Sequence, residues 1–265
     1  MSSSTKLIWL SDLHFTANGL VQNHNPRERL AAAINHINAH HGDASLCVIS
    51  GDIVDRGSAE DYAAVSKALS DLHCPYHALP GNHDNRALLR EHMPIPENCM
   101  DDFVQYSVIT DDAVLLCLDT HHTGYDDGEF CEKRFAWLGA KLEEYADQPV
   151  ILFFHHPPMS LGLPMQDTDL MKEGAEFLDF LEGHNNVAHI CMGHVHRPIS
   201  GSIRGIGFTT MRAVLYQAPP PRPSWDWSTF EPGREAPNIG VMHIKGRDVL
   251  IQYDQFCDYE TGVEG

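Results

Sequence analysis

The stretch Leu46-Cys47-Val48-Ile49-Ser50-Gly51-Asp52-Ile53-Val54-Asp55-Arg56 runs from an apolar segment into a glycine and two acids. A short apolar run bounded by a turn signal reads as a buried strand. Gly51 permits a tight turn, which places Asp52 at the strand tip. The same grammar recurs along the chain. Asp12-Leu13-His14 follows the apolar residues 7–10, and Gly81-Asn82-His83-Asp84 follows residues 76–80. His155-His156-Pro157-Pro158 follows residues 150–154, and Gly193-His194-Val195-His196 follows residues 187–192. Five clusters of metal-type ligands, each where a strand hands over to a loop, read as one site assembled from distant parts of the chain.

Helical patterns separate these strands. Leu30, Ala33, Ile34 and Ile37 share one face of a predicted helix over residues 27–41, with Pro26 suited to its first turn. A second helix is predicted over 58–72, with Ser58 as N-cap and Asp61 three residues on as a weak capping box. Further helices are predicted over 85–92, 132–145 and 169–181. Residues 106–109 and 114–118 read as a hairpin across Asp111-Asp112. After Gly193 the pattern changes to antiparallel strands, predicted over 203–208, 213–217, 240–245 and 249–253. Gly246-Arg247 is read as the tight turn between the last two. Residues 218–237, rich in Pro, Trp and charge, read as a long functional loop, because strands resume after it. Strand–helix alternation followed by a run of strands predicts a layered α/β sandwich with a mixed sheet, residues 1–265 forming one domain. Sites in such folds lie at the carboxyl ends of strands.

Composition narrows the function. The 265 residues carry 18 Lys+Arg against 37 Asp+Glu, a net charge of −19. So acidic a chain is unsuited to a broad nucleic-acid footprint or to docking on anionic membranes. An anionic substrate needs a local positive centre, which bound metal cations supply. The 7 Cys are scattered without a Cys-x-x-Cys pair, so neither a disulfide framework nor a zinc ribbon is expected. Cys47, Cys117 and Cys191 lie in apolar runs and read as buried thiols in a reducing compartment. Met1-Ser2-Ser3-Ser4 lacks the basic start of a secretory signal, and the longest apolar stretch, 113–118, is too short to cross a bilayer. A soluble, cytoplasmic protein is expected. Of the 18 His, those outside the clusters (among them His24, His36, His40, His41, His73, His77, His92 and His184) read mostly as surface or capping residues.

The chemistry of the clusters is that of hard or borderline cations. On an extended chain, residues i and i+2 point to one side, so Asp12 with His14, and His194 with His196, are placed to act together. The two carboxylate oxygens of Asp52 can bridge two ions, whereas Asp55 reads as a supporting acid. The amide oxygen of Asn82 suits a divalent ion. His83 then projects beside the metals, the place for a group that steadies phosphate oxygens or protonates a leaving alkoxide. Two ions about 3.5–4 Å apart can clamp both oxygens of a phosphoryl transfer and lower the pKa of water to about 7. N/O ligands without thiolates suit Mn, Fe, Co or Zn.

In this order the motifs Asp12-x-His14, Gly51-Asp52-x-x-Asp55, Gly81-Asn82-His83-Asp84, His155-x-Pro157-Pro158 and Gly193-His194-x-His196 resemble those of the calcineurin-like metallophosphoesterases. Within that superfamily the chain looks like the class III cyclic nucleotide phosphodiesterases and the bacterial glycerophosphodiesterases close to them. The resemblance implies a four-layer α/β/β/α sandwich with mixed sheets. It implies Asp12, His14, Asp52 and His196 as ligands of a first metal, and Asp52, Asn82, His155 and His194 as ligands of a second. His155 is preferred to His156 because the family ligand sits two residues before the first proline. His83 resembles the catalytic or phosphate-orienting histidine. The expected reaction is in-line attack of a metal-bridging hydroxide on a phosphodiester, most simply a 3′,5′-cyclic nucleotide. A glycerophosphodiester, or a phosphomonoester under broad specificity, is the enzymatic alternative, and a metal-containing regulatory scaffold the non-enzymatic one. Trp225, Trp227 and Phe230 offer a surface for a base or for a subunit interface, and residues 161–169 a second pocket wall. The resemblance also implies a homo-oligomer built through the C-terminal part.

Overall fold

The protein is described by a computed structural model over residues 4–222 and 226–263. Two mixed sheets pack face to face. One has five strands in the order β11 (Asp248–Gln255), β10 (Asn238–Lys245), β1 (Thr5–Leu10), β2 (Leu46–Ser50) and β3 (Tyr76–Leu79). The other has six, in the order β4 (Tyr106–Ile109), β5 (Val114–Cys117), β6 (Val150–Phe154), β7 (Val187–Met192), β9 (Ile206–Thr210) and β8 (Ser200–Ile203). The strands β1, β2 and β3 run parallel, as do β5, β6, β7 and β9. Their carboxyl ends therefore gather along one rim of each sheet.

The period of two along each strand explains the layering. Leu115, Cys117, Ile151, Phe153 and Cys191 face the five-stranded sheet and share its core with Leu7, Trp9, Cys47 and Ile49. Their neighbours Val114, Leu116, Leu152, Phe154, Ile190 and Met192 face the helices α4 (Glu132–Glu144) and α5 (Gly174–Glu182), through Leu138, Leu142, Phe177 and Leu181. Trp9 crosses between the sheets, meeting the Phe153 ring edge-on at 5.8 Å and donating its indole N–H to Ser50 Oγ at 2.8 Å. The outer side of the five-stranded sheet is covered by α1 (Pro26–His40) and α2 (Ala59–Leu69), which add Leu30, Ile34, Tyr62 and Val65 to the same core. This is the expected four-layer sandwich. Asn25 caps α1, Ser58 caps α2, and Asn85 caps the short α3 (Arg86–His92). Asp61 turns its carboxylate toward the Ala17 N–H rather than completing a capping box.

Three predicted elements differ. Residues 203–208 are two strands, not one: Arg204 and Gly205 both adopt positive φ and turn the chain between the paired Ile203 and Ile206. Residues 213–217 form no strand. Ala213, Val214 and Leu215 are buried, but the Val214 N–H donates to Ser11 O and the Ala218 N–H to His196 O, so this backbone braces the rim. The helix predicted from 169 starts only at Gly174, because the Met171 and Lys172 N–H groups are bound to Pro157 O and Gly128 O. A Cβ at Gly174 would strike the Pro158 carbonyl, so this close approach needs glycine. Among the described residues no helix is long and apolar enough to cross a membrane.

Candidate dimetal site

Five of the strands that run toward the common rim deliver the parts of one cluster: Asp12 and His14 after β1, Asp52 after β2, Asn82 and His83 after β3, His155 after β6, and His194 and His196 after β7. The backbone there is not extended. Among the described residues eight non-glycine positions have positive φ, and five of them are Asp12, His14, Asp52, His194 and His196. The i, i+2 pairs thus converge through left-handed turns rather than through a pleat. Such conformations cost on the order of 1–3 kcal/mol each and persist only when the surroundings enforce them. Here they are enforced by a ladder across the rim, with Asp12 N–H donating to Gly51 O at 3.1 Å and His14 N–H to Asp52 O at 2.9 Å. Gly51, at φ 100°, lies so close to His155 that a Cβ would collide with the imidazole.

Two groups of donor atoms lie side by side at the centre of the rim. Asp12, His14, Asp52 and His196 bring one ligand atom each to within 4.8 Å of one another, as do His155, His156 and His194. Asp52 Oδ2 joins them, 3.5 Å from His14 Nε2 and 3.3 Å from His155 Nε2. Asn82 Oδ1 lies 3.2 Å from His155 Nε2 and 3.1 Å from His194 Nδ1. Asp12 Oδ2 is buried without a hydrogen-bond partner. An orphaned carboxylate oxygen among imidazoles and a second carboxylate is what a cation would satisfy. The set fits two ions with one shared carboxylate. His155 touches both Asp52 and Asn82, whereas His156 pairs with Thr120 Oγ1 at 2.8 Å and leaves a buried Nε2 unpartnered.

A metal-bound histidine is oriented by what its other nitrogen does. His155 Nδ1 donates to Ser50 O at 2.8 Å, His196 Nδ1 to Tyr216 O at 2.9 Å, and His14 Nδ1 faces Asp55 Oδ1 at 3.3 Å. Each of these contacts turns Nε2 toward the carboxylates.

Charge is divided sharply in the cluster. Burial disfavours ionised Asp52, but His155, His83 and His14 around it hold the carboxyl well below its usual range. Burial also opposes a charged His155, yet Asp52 and Asp12 push it up to about 9. His194, desolvated and beside His155, falls to about 3, and buried His156 also falls well below its usual value.

His83 sits beside the ligand groups, its ring 4.7 Å from that of His14, and with His14 and Asp55 it brings a further set of donor atoms within 4.8 Å of one another. Its Nδ1 donates to Asp55 O at 2.8 Å, and its N–H holds Asp52 Oδ1 at 3.0 Å. Burial lowers its pKa, but Asp52 and the Asp55 carbonyl outweigh this, and the net direction is upward. His83 opens onto a cavity of about 340 Å³ over the cluster. Trp227, Phe230 and Tyr216 also line that cavity, as do Gln166, Asp169 and Asp126. Among the described residues no Lys or Arg lines it. Trp227 and Phe230 thus reach the pocket as the sequence suggested, and the 161–169 segment contributes Gln166 and Asp169. Trp225 lies outside the described residues.

Several participants escaped the sequence reading. Tyr216 packs against His14 and His196 at 5.3 and 4.5 Å, from the segment misread as a strand. Asp84 accepts from the N–H groups of Ile53, Val54 and Gly81 and from Tyr62 OH, tying two ligand loops together, while burial and the charge of Asp52 push it up to about 6. Thr120 and His121, just past β5, meet His156 and Gly81 O. Asp119-Thr120-His121-His122 after an apolar strand has the same grammar as the five clusters, and that signal would have found it.

Residues 5–198 match the model of the calcineurin-like phosphoesterase family, and the chain belongs to that family. It is 34% identical over 216 residues to a probable cyclic nucleotide phosphodiesterase of Rhodopseudomonas palustris, covering 80% of this chain and 79% of the relative. It is 29% identical to the glycerophosphodiester phosphodiesterase GpdQ of Enterobacter lignolyticus, over 97% of this chain and 92% of the relative. The fold is that of a dimetal phosphatase from Danio rerio, with a TM-score of 0.71 at 15% identity, covering 97% of this chain and 98% of that one.

Proposed function

We propose that this metal-dependent phosphodiester hydrolase acts on 3′,5′-cyclic nucleotides. Asp12, His14, Asp52 and His196 hold one ion in this reading, and Asp52, Asn82, His155 and His194 hold the other. The observation that carries it is the placement of Asp52 Oδ2 between the two ligand groups, under a cavity with an aromatic wall. When bound, the ions supply positive charge for the phosphate and a water acidic enough to attack at neutral pH. The metal identity, among Mn, Fe, Co and Zn, is left to experiment.

The chain's own residues do the rest. His83, anchored through Nδ1 on Asp55 O, presents Nε2 to the cavity, and its raised pKa favours the protonated form that donates to a phosphoryl oxygen or to the leaving alkoxide. Among the described residues Asp126 and Asp169 line the pocket and no Lys or Arg does, so away from the ions and His83 the lining opposes added negative charge. That disfavours a phosphomonoester dianion and supports a diester, which carries a single charge. Trp227 and Phe230 offer a face on which a nucleobase stacks. The near full-length likeness to a glycerophosphodiester phosphodiesterase supports a second substrate class, whose hydroxyls Asp126 and Asp169 can accept from. We further propose that residues 1–265 act as one domain, that the 218–237 loop caps the pocket, and that the loop or its surroundings serve a homo-oligomer contact.

The test is a kinetic panel on the metal-loaded protein: cyclic AMP, cyclic GMP, 2′,3′-cyclic nucleotides, glycerophosphodiesters, and bis(p-nitrophenyl) phosphate against its monoester. A higher kcat/KM for 3′,5′-cyclic nucleotides than for every glycerophosphodiester is expected. The reverse order would transfer the assignment to the second class, and equal turnover of the monoester would refute the charge argument.

A further inference from the structure

We propose that His36, His41 and Asp254 form a separate cation site that takes a divalent transition ion of the zinc type. Ligand atoms of the three residues lie within 4.8 Å of one another, and none of the three lines the catalytic cavity. His36 projects from α1, His41 ends that helix with its N–H on Ile37 O, and Asp254 lies on the edge strand β11. Both imidazole Nε2 atoms approach one carboxylate oxygen, Asp254 Oδ2, at 2.8 Å. Two imidazoles and a carboxylate are a donor set that zinc accepts, with water completing the shell. With metal–ligand bonds of about 2.0–2.2 Å, tetrahedral donors sit roughly 3.3–3.6 Å apart. The two Nε2–Oδ2 contacts therefore need to open by only about 0.5–0.8 Å, within the reach of partly exposed side chains. A net charge of −19 adds a background that favours cations.

The site is weak compared with the catalytic one, for a visible reason. His41 Nδ1 is buried with no hydrogen-bond partner, so the N–H that it must carry when Nε2 binds metal has no acceptor. Loss of such a partner typically costs 10–100-fold in metal affinity. An ion bound there clamps the end of α1 to the sheet edge.

The experiment uses the full chain with its catalytic centre loaded, dialysed against buffered micromolar zinc, with metal per chain counted by plasma mass spectrometry. Wild type is expected to carry one ion beyond those of the catalytic centre. His41→Ala and Asp254→Asn should each weaken that ion at least about tenfold while kcat on bis(p-nitrophenyl) phosphate stays unchanged, which also reports that the variants fold. Cobalt in place of zinc should show absorption bands of low-coordinate geometry that vanish in both variants. Absence of the additional ion from wild type overturns the proposal. So does its survival in both variants with loss in His40→Ala, which would place the ion on the i, i+4 pair His36 and His40 instead.

Discussion

Two His/Asp clusters in this molecule use the same side-chain types and differ in everything that supports them. At the rim, Asp12, His14, Asp52 and His196 are buried, and each stands on a left-handed backbone. Three of the rim histidines have their outer nitrogen held, by Asp55, Ser50 O and Tyr216 O. At the end of α1, His36 and His41 stand on or beside an ordinary helix, Asp254 is 38% exposed, and the outer nitrogen of His41 has no partner. Donor identity alone therefore does not set a metal site. Preorganisation does, and it is built from backbone strain, burial and the hydrogen bonds behind the ligands.

The comparison is most exposed at Asp52. Its replacement by alanine should abolish turnover of bis(p-nitrophenyl) phosphate and lower the metal content, even after stripping and reloading. Wild-type activity in that variant would break the shared-carboxylate reading. Replacing His83 by alanine should reduce kcat by roughly 10²–10⁴ with both ions retained. An unchanged kcat at full metal content removes it from the reaction.

Support, as opposed to ligation, is tested at Asp84. Asp84→Ala strands three backbone N–H groups and the Tyr62 hydroxyl, at about 1–3 kcal/mol per unsatisfied group. A fall in the chemical-denaturation stability of several kcal/mol is expected, with metal affinity weakened as the loops part. A variant as stable as wild type would mean that water replaces the carboxylate.

At the pocket wall the effect should be smaller and confined to substrates with a base. Trp227→Ala removes a stacking face worth about 1–3 kcal/mol, so KM for cyclic AMP should rise roughly 5–150-fold. KM for glycerophosphoethanolamine should hold. Equal losses on both would show that Trp227 shapes the pocket without reading the base. Chelation sharpens the contrast last. Removing the catalytic ions should lower the melting temperature, since at 100 times Kd a bound ion contributes about 2.7 kcal/mol. Removing an ion from the α1 site should shift it far less.

The rim was legible because its signals are local. An apolar run and a ligand type lie next to each other in sequence after β1, β2, β3, β6 and β7, and a glycine stands between them after β2, β3 and β7. The family match to residues 5–198 covers this same part. The C-terminal part was less legible. Residues 213–217 have the composition of a strand, yet their N–H groups go to Ser11 and His196 instead of a ladder. Helix α5 starts late because Met171 and Lys172 are already committed to Pro157 and Gly128. Such competitions are decided by long-range hydrogen bonds, which propensity and periodicity cannot see.

Sequence by itself determined the donor inventory, the strand ends that present it, and hence the class of chemistry, because each is a matter of adjacent residues and short periods. Tertiary structure decided the rest. It turned the ligand pairs through left-handed backbone, set Asp52 Oδ2 between two groups of histidines, and brought Tyr216 to the site from a segment with no motif. It also drew His36, His41 and Asp254 together across more than two hundred residues of chain. The physical reason is that a metal site depends on distances of a few ångströms between residues far apart in sequence, and only the packing of the two sheets and their helices sets those distances.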